Sequence, residues 1–172
     1  MTILCCQQEV MDAIKAATAD LRFEPPEAES AVPGKHSVSA VSRDPVSLHY
    51  YMQQVPRLTH DDQQDPFPYV VVRMLEGTRS RDPDALSEYQ VAVLIGVRHS
   101  SPENTAYASA ASVVERIIDY FAVHPETDHF LLSADSIEWG LTGDEDSWPY
   151  SGGYVVTRWR GIYLTHEEEE YV

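Results

Sequence analysis

The sequence predicts an α+β fold, a mostly antiparallel sheet of about five strands packed with two helices. Three observations carry that expectation. Five stretches rich in β-branched and aromatic residues have the length of strands. Two others repeat apolar residues at spacings of three and four. Successive strands are joined by turn-forming segments, which predicts antiparallel pairing with a helix across one sheet face. The chain of 172 residues, 43% of them hydrophobic and 23% charged, has the size and composition of one soluble domain.

The elements follow in chain order. Residues 7–22 place Val10, Met11, Ile14, Ala17 and Leu21 on one helical face, and the prolines of FEPPE end the run. Residues 24–46 hold prolines, serines, Gly34 and scattered charge without periodicity and predict a long loop or linker. The α+β core is expected over 47–165. Its first strand comes from VSLHYYMQQV (46–55), ended by Pro56, and FPYVVVRML (67–75) has the β-branched run of a central strand. SEYQVAVLIGVR (87–98) follows, with Tyr89, Val91, Val93 and Ile95 on one face. From Asn104, Tyr107, Ala110, Val113, Val114, Ile117, Ile118 and Phe121 form the strongest amphipathic pattern in the chain. Ser109, Ser112, Arg116 and Asp119 lie on its outer face, the last two spaced to interact across a turn. FLLSADSIEWGL (130–141) and YVVTRWRGIYL (154–164) supply the last two strands, and 166–172 form an acidic tail.

Charge excludes several function classes. Twelve Lys and Arg against twenty-eight Asp and Glu leave a net −16. Phosphate neutralisation needs clustered Lys and Arg, so nucleic-acid binding by that mode is not expected, nor is an anionic membrane as a partner. MTILCCQQEV lacks the basic start of a signal peptide, which predicts cytoplasmic synthesis. Cys5 and Cys6, adjacent and alone, suit neither a disulfide framework nor a zinc site and read as small apolar residues.

The motifs of catalysis are missing. None of the seven histidines forms a helical pair with Glu as in zinc hydrolases. His124-Pro-Glu-Thr-Asp-His129 and His60-Asp61-Asp62 read as polar loops, and Asp144-Glu145-Asp146 lacks the glycine and distal glutamate of a calcium loop. There is no G-x-S-x-G elbow, no G-x-G-x-x-G and no Walker motif, and neither cysteine reads as lying before a helix that would lower its pKa. The expectation is a non-enzyme without cofactor or metal.

Aromatic residues and strand arginines point elsewhere. Trp139, Trp148, Tyr150, Tyr154, Trp159 and Tyr163 crowd the last 35 residues. Some of them belong to core packing. Trp148-Pro149-Tyr150-Ser151-Gly152-Gly153 places large aromatics in a turn, open to packing on the chain or to contact with a partner. Arg73, Arg158 and Arg160 are rare positive charges inside strands, suited to pairing within the chain or across a subunit boundary. The candidate interface residues are Arg73, Trp148, Tyr150 and Arg158.

From about residue 66 onward the chain resembles the tail terminator proteins of long-tailed bacteriophages, also called tail completion or head–tail joining proteins. The resemblance rests on Pro66-Phe67-Pro68-Tyr69-Val70-Val71-Val72-Arg73-Met74-Leu75-Glu76-Gly77, the strand VAVLIGVR and Val113-Val114-Glu115-Arg116-Ile117. It continues through Ile137-Glu138-Trp139 and Trp148-Pro149-Tyr150 ahead of Gly152-Gly153. It covers some hundred residues in order. The chain departs from it at Ala108 and Ser109, where relatives often carry charge, and in the segments 24–46 and 166–172. The resemblance implies a subunit that assembles with itself into a ring, usually a hexamer, capping the head-proximal end of the tail tube in the virion. It implies the tail tube protein and the head–tail connector as partners, with DNA passing through the ring unread. Acidic residues lining that channel would repel DNA during passage.

Three other readings stay open at this point. A neck adaptor would bind the connector rather than the tube. An acidic DNA mimic would array carboxylates at phosphate-like spacing, whereas here they gather in 61–65, 82–88, 144–146 and 167–170. A metal-dependent hydrolase would use the histidine and aspartate loops.

Overall fold

The computed structural model describes residues 2–24, 45–56, 66–79, 86–99, 105–133, 137–143 and 147–161. Helix α1 spans Ile3–Thr18. Strands β1 (His49–Met52), β2 (Tyr69–Thr78) and β3 (Glu88–Arg98) precede helix α2 (Thr105–Val123). Strands β4 (Phe130–Leu132), β5 (Glu138–Thr142) and β6 (Tyr150–Gly161) complete the chain order. Two helices on a six-stranded, mostly antiparallel sheet make an α+β fold. No helix among the described residues is long and apolar enough to cross a membrane.

Helix α1 begins four residues before the expected start. Thr2 caps it, its hydroxyl accepting from the Cys5 amide at 3.2 Å, so the first turn takes in both cysteines. The helix also ends earlier, at Thr18, and Phe23 then forms an antiparallel bridge with Val46. Of the loop expected over 24–46, residues 25–44 lie outside the described residues, as do the acidic tail, Tyr163, His60–Asp62 and Asp144–Asp146.

The sheet runs β1-β2-β3-β6-β4, with β5 also on β6. Two features depart from expectation. First, β1 pairs with β2 in parallel, His49 opposite Tyr69 through Met52 opposite Val72. Residues 53–68 are enough chain for the crossover that parallel strands require, so adjacency in sequence did not impose a hairpin. Second, the strand expected over 130–141 is two strands. β4 pairs with 159–161 and β5 with 152–156, end to end along one edge of β6. The intervening Ser133-Ala134-Asp135-Ser136 is a run of low strand propensity.

Alternation along β3 and β6 separates the two sheet faces. Tyr89, Val91, Val93, Ile95 and Val97 join Val70, Val72, Val155 and Trp159 in one core with Cys6, Val10, Met11 and Ile14 of α1. Ala106, Ala110, Val113, Val114, Ile117 and Phe121 close that core from α2. Ala106 takes the inward place expected for Tyr107, which is exposed. Arg116 reaches Asp20 at 3.1 Å instead of spanning a helical turn to Asp119.

Trp159 is the largest fully buried side chain. It meets Phe121 edge to face at 5.3 Å, and its indole N–H donates to Thr157 Oγ1 at 2.9 Å. Gln7, almost wholly buried, donates to the Val72 carbonyl at 2.8 Å, and the Thr18 hydroxyl lies 2.8 Å from that of Tyr50. These polar ties hold α1 over the β1–β2 end of the sheet.

Trp159→Ala should lower the unfolding free energy by about 3–5 kcal/mol, whereas Trp148→Ala, at a side chain 62% exposed, should change it by less than about 0.5 kcal/mol. Urea denaturation of the two variants checks this, and a costly Trp148→Ala would place that tryptophan in the core.

Candidate functional site

Both helices pack on one sheet face; among the described elements none lies on the other. Because β3 and β6 pair residue for residue, the open face can be read in rows. Arg98 stands opposite Tyr150, Leu94 opposite Tyr154, Ala92 opposite Val156, Gln90 opposite Arg158 and Glu88 opposite Arg160. From β2, Tyr69 adjoins Gly96, Val71 adjoins Leu94 and Arg73 adjoins Ala92. Three of the four candidate interface residues, Arg73, Tyr150 and Arg158, therefore share this face.

Arg73 and Arg158 are two strands and one step of register apart, roughly 12 Å on ordinary sheet spacing. Both are exposed, and Arg73 donates from Nε to the Gln53 carbonyl at 2.9 Å. Arg160 pairs with Glu88 across the strands at 2.9 Å, an exposed pair of little energetic weight. At the far end Tyr150 joins an aromatic group, with Phe67 at 5.2 Å and the Arg98 guanidinium 5.8 Å from its ring centre. Phe67 in turn packs on Tyr69 at 5.0 Å. Trp148 lies in the turn before β6 and is exposed.

Two glycines of this face lie under tyrosine rings. A Cβ at Gly140 would meet the Tyr154 ring at 2.6 Å, and the Tyr69 ring covers Gly96 in the same way. These tyrosine-on-glycine pairs join residues distant in sequence and become visible only once the strand register is known.

Among the described residues, charge differs modestly between the two sides of the sheet. The open face carries Arg73, Arg98, Arg158 and Arg160, four of the chain's twelve basic residues, against Glu76, Glu88 and Glu138. The outer surface of the helix layer carries Asp12, Asp20, Glu115 and Asp119 against Lys15 and Arg116. Among the described residues the sheet face thus carries a slight basic excess and the helix layer a slight acidic one, on opposite sides of the chain.

A second constellation escaped the sequence reading. Glu9, one helical turn beyond Cys5, points from α1 into the loop between α2 and β4. Its Oε2 accepts from the Thr127 hydroxyl at 2.8 Å and the His129 amide at 3.0 Å. Its Oε1 lies 2.6 Å from His129 Nδ1 and 3.1 Å from the Cys5 thiol, which donates to it. The thiol sulfur, the carboxylate and the imidazole nitrogen all fall within 4.8 Å of one another. The loop containing His129 is therefore more than a polar turn, while His124 rests against the Tyr120 ring at 4.6 Å.

Cys5 and Cys6 sit inside the first helical turn, contrary to expectation, yet neither thiol is acidified. The hydrogen bond to Glu9, with burial added, raises the pKa of Cys5. Burial pushes Cys6 up to about 12, the charges of Glu9 and Cys5 acting in the same direction. For Glu9 burial works to raise the pKa, but donors from Cys5, Thr127 and His129 together outweigh it and hold the carboxyl below its usual value.

No protein-family model matches this chain, and no curated protein matches it by sequence.

The depressed carboxyl of Glu9 makes stability depend on pH. Its contribution is full above the unfolded value of about 4.3 and is lost as pH falls through the lower folded value. In metal-free protein Glu9→Gln should cost about 1–3 kcal/mol near neutral pH. The gap to wild type should narrow as pH falls through and below about 4.3, as stepped-pH urea denaturation would read.

Proposed function

We propose that this chain is a structural assembly protein that closes into a ring through its open sheet face. The observation that carries the reading is that face itself: aromatic, holding four arginines against three glutamates, and uncovered by any described element. In a net −16 chain, a side holding four arginines suits an acidic partner, and the helix layer of a second copy is one. Joining the basic side of one subunit to the acidic side of the next is a head-to-tail contact, and such contacts close into rings when the rotation permits. Tyr150, Tyr154 and Trp148 supply the apolar anchors.

The resemblance to tail terminators gives this assembly its role. On that reading the ring sits at the head-proximal end of a phage tail tube, ends tube growth and offers the head connector a surface, with DNA passing through unread. Arg73 and Arg158 set the register between subunits, and no step of the role calls for catalysis.

Sedimentation over a wide concentration range should find a closed oligomer, six-fold if the terminator reading holds, that weakens at high salt. Arg158→Glu should weaken self-association on the order of tenfold or more while leaving the urea midpoint nearly unchanged. A monomer at every concentration, with purified tail tubes present as well as absent, would overturn the ring. Rings that bind the connector but not the tube would make the protein a neck adaptor.

A further inference from the structure

We propose that Cys5, Glu9 and His129 form a binding site for one divalent zinc-class cation, pinning the start of α1 to the loop before β4. The inference is independent of the assembly reading. It rests on three donors of the right chemistry meeting at one point. A thiolate sulfur, an imidazole nitrogen and a carboxylate oxygen are the ligands zinc takes, and softer or harder cations fit this mixed set less well.

The distances require little movement. Around a tetrahedral zinc, donor atoms stand about 3.3–3.6 Å apart. Here Glu9 Oε1 lies 3.1 Å from Cys5 Sγ and 2.6 Å from His129 Nδ1, and no pair exceeds 4.8 Å. Each separation changes by roughly 1 Å or less for sulfur and nitrogen about Oε1 when a cation takes the place of the protons now shared there.

The carboxylate is also held for the task. Thr127 and the His129 amide occupy Oε2, leaving Oε1 directed at the other two donors, as outer hydrogen bonds orient metal ligands elsewhere. Cys5 and Glu9 share one helix face at a spacing of four. His129 is positioned by Phe130, the next residue, which is fully buried in the core.

Binding forms bonds from Sγ, Oε1 and Nδ1 to the cation. The thiol proton leaves to solvent, and so does the proton that Nδ1 now shares with Oε1; the neutral imidazole that ligates through Nδ1 carries its one proton on Nε2, taken from solvent if the ring was not already doubly protonated, and a water completes the fourth position. Because His129 is about one-third exposed, the water and the incoming ion have access from the surface.

Equilibrium dialysis with zinc chloride, and cobalt(II) as a spectroscopic substitute, tests the site in the full chain. Wild type should bind one tight equivalent, show a thiolate-to-cobalt charge-transfer band and melt at higher temperature with zinc. Cys5→Ser and His129→Ala should each weaken binding on the order of tenfold or more and abolish the zinc-dependent rise in melting temperature, and Cys5→Ser should remove the charge-transfer band. Zinc bound equally well by wild type and both variants, or not bound by wild type, would overturn the proposal. Far-UV circular dichroism of the metal-free variants separates lost ligation from lost folding.

Discussion

The antiparallel pairing of β3 with β6 is the constraint on which the rest of the molecule depends. It runs without interruption from Glu88 opposite Arg160 to Arg98 opposite Tyr150. Strand side chains alternate strictly, so this one register decides which residues face the helices and which face away. A slip of one residue would send Trp159 and Val155 outward and bring Arg158 and Tyr154 into the core. The free edge of β6 then accepts β4 and β5, and the other side of β3 accepts β2. Every element of the sheet except β1 is thus referred directly to this pair.

One-sided covering follows from the same alternation. Both helices bury apolar stripes against the face that holds Val91, Val93 and Val155, leaving Tyr150, Tyr154 and the arginines on the other. The two surfaces that result differ in charge as well as polarity. The strand arginines and the carboxylates of the helix layer lie on opposite sides of the sheet, so the chain has two unlike sides. On the proposed ring reading, that asymmetry is what would let one copy dock on the next head to tail.

Helix α1 is held by polar contacts as well as by its apolar stripe. Gln7 reaches the Val72 carbonyl, Thr18 meets Tyr50, and Glu9 gathers Thr127 and His129. Buried polar groups of this kind are costly unless satisfied, so they admit only a narrow range of placements for the helix. The same narrowness brings the Cys5 thiol and the His129 ring to one carboxylate oxygen.

Legible in the sequence alone were the two helices and most strands, the core stripe of α2 from Ala110 onward, the inward residues of β3 and the strand setting of Arg73 and Arg158. Those properties are local periodicities of 3.6 and 2 residues, visible in any short window. The start of α1 was misplaced because the cap is a single threonine, and β4 was merged with β5 because no proline or glycine separates them. Long-range packing alone sets β1 parallel to β2, puts Arg73, Arg158 and Tyr150 on one face, and brings Cys5, Glu9 and His129 together. Glu9 and His129 are 120 residues apart along the chain. Their meeting is a product of how a helix and a loop are pressed onto the same core, and no local pattern in the chain encodes it.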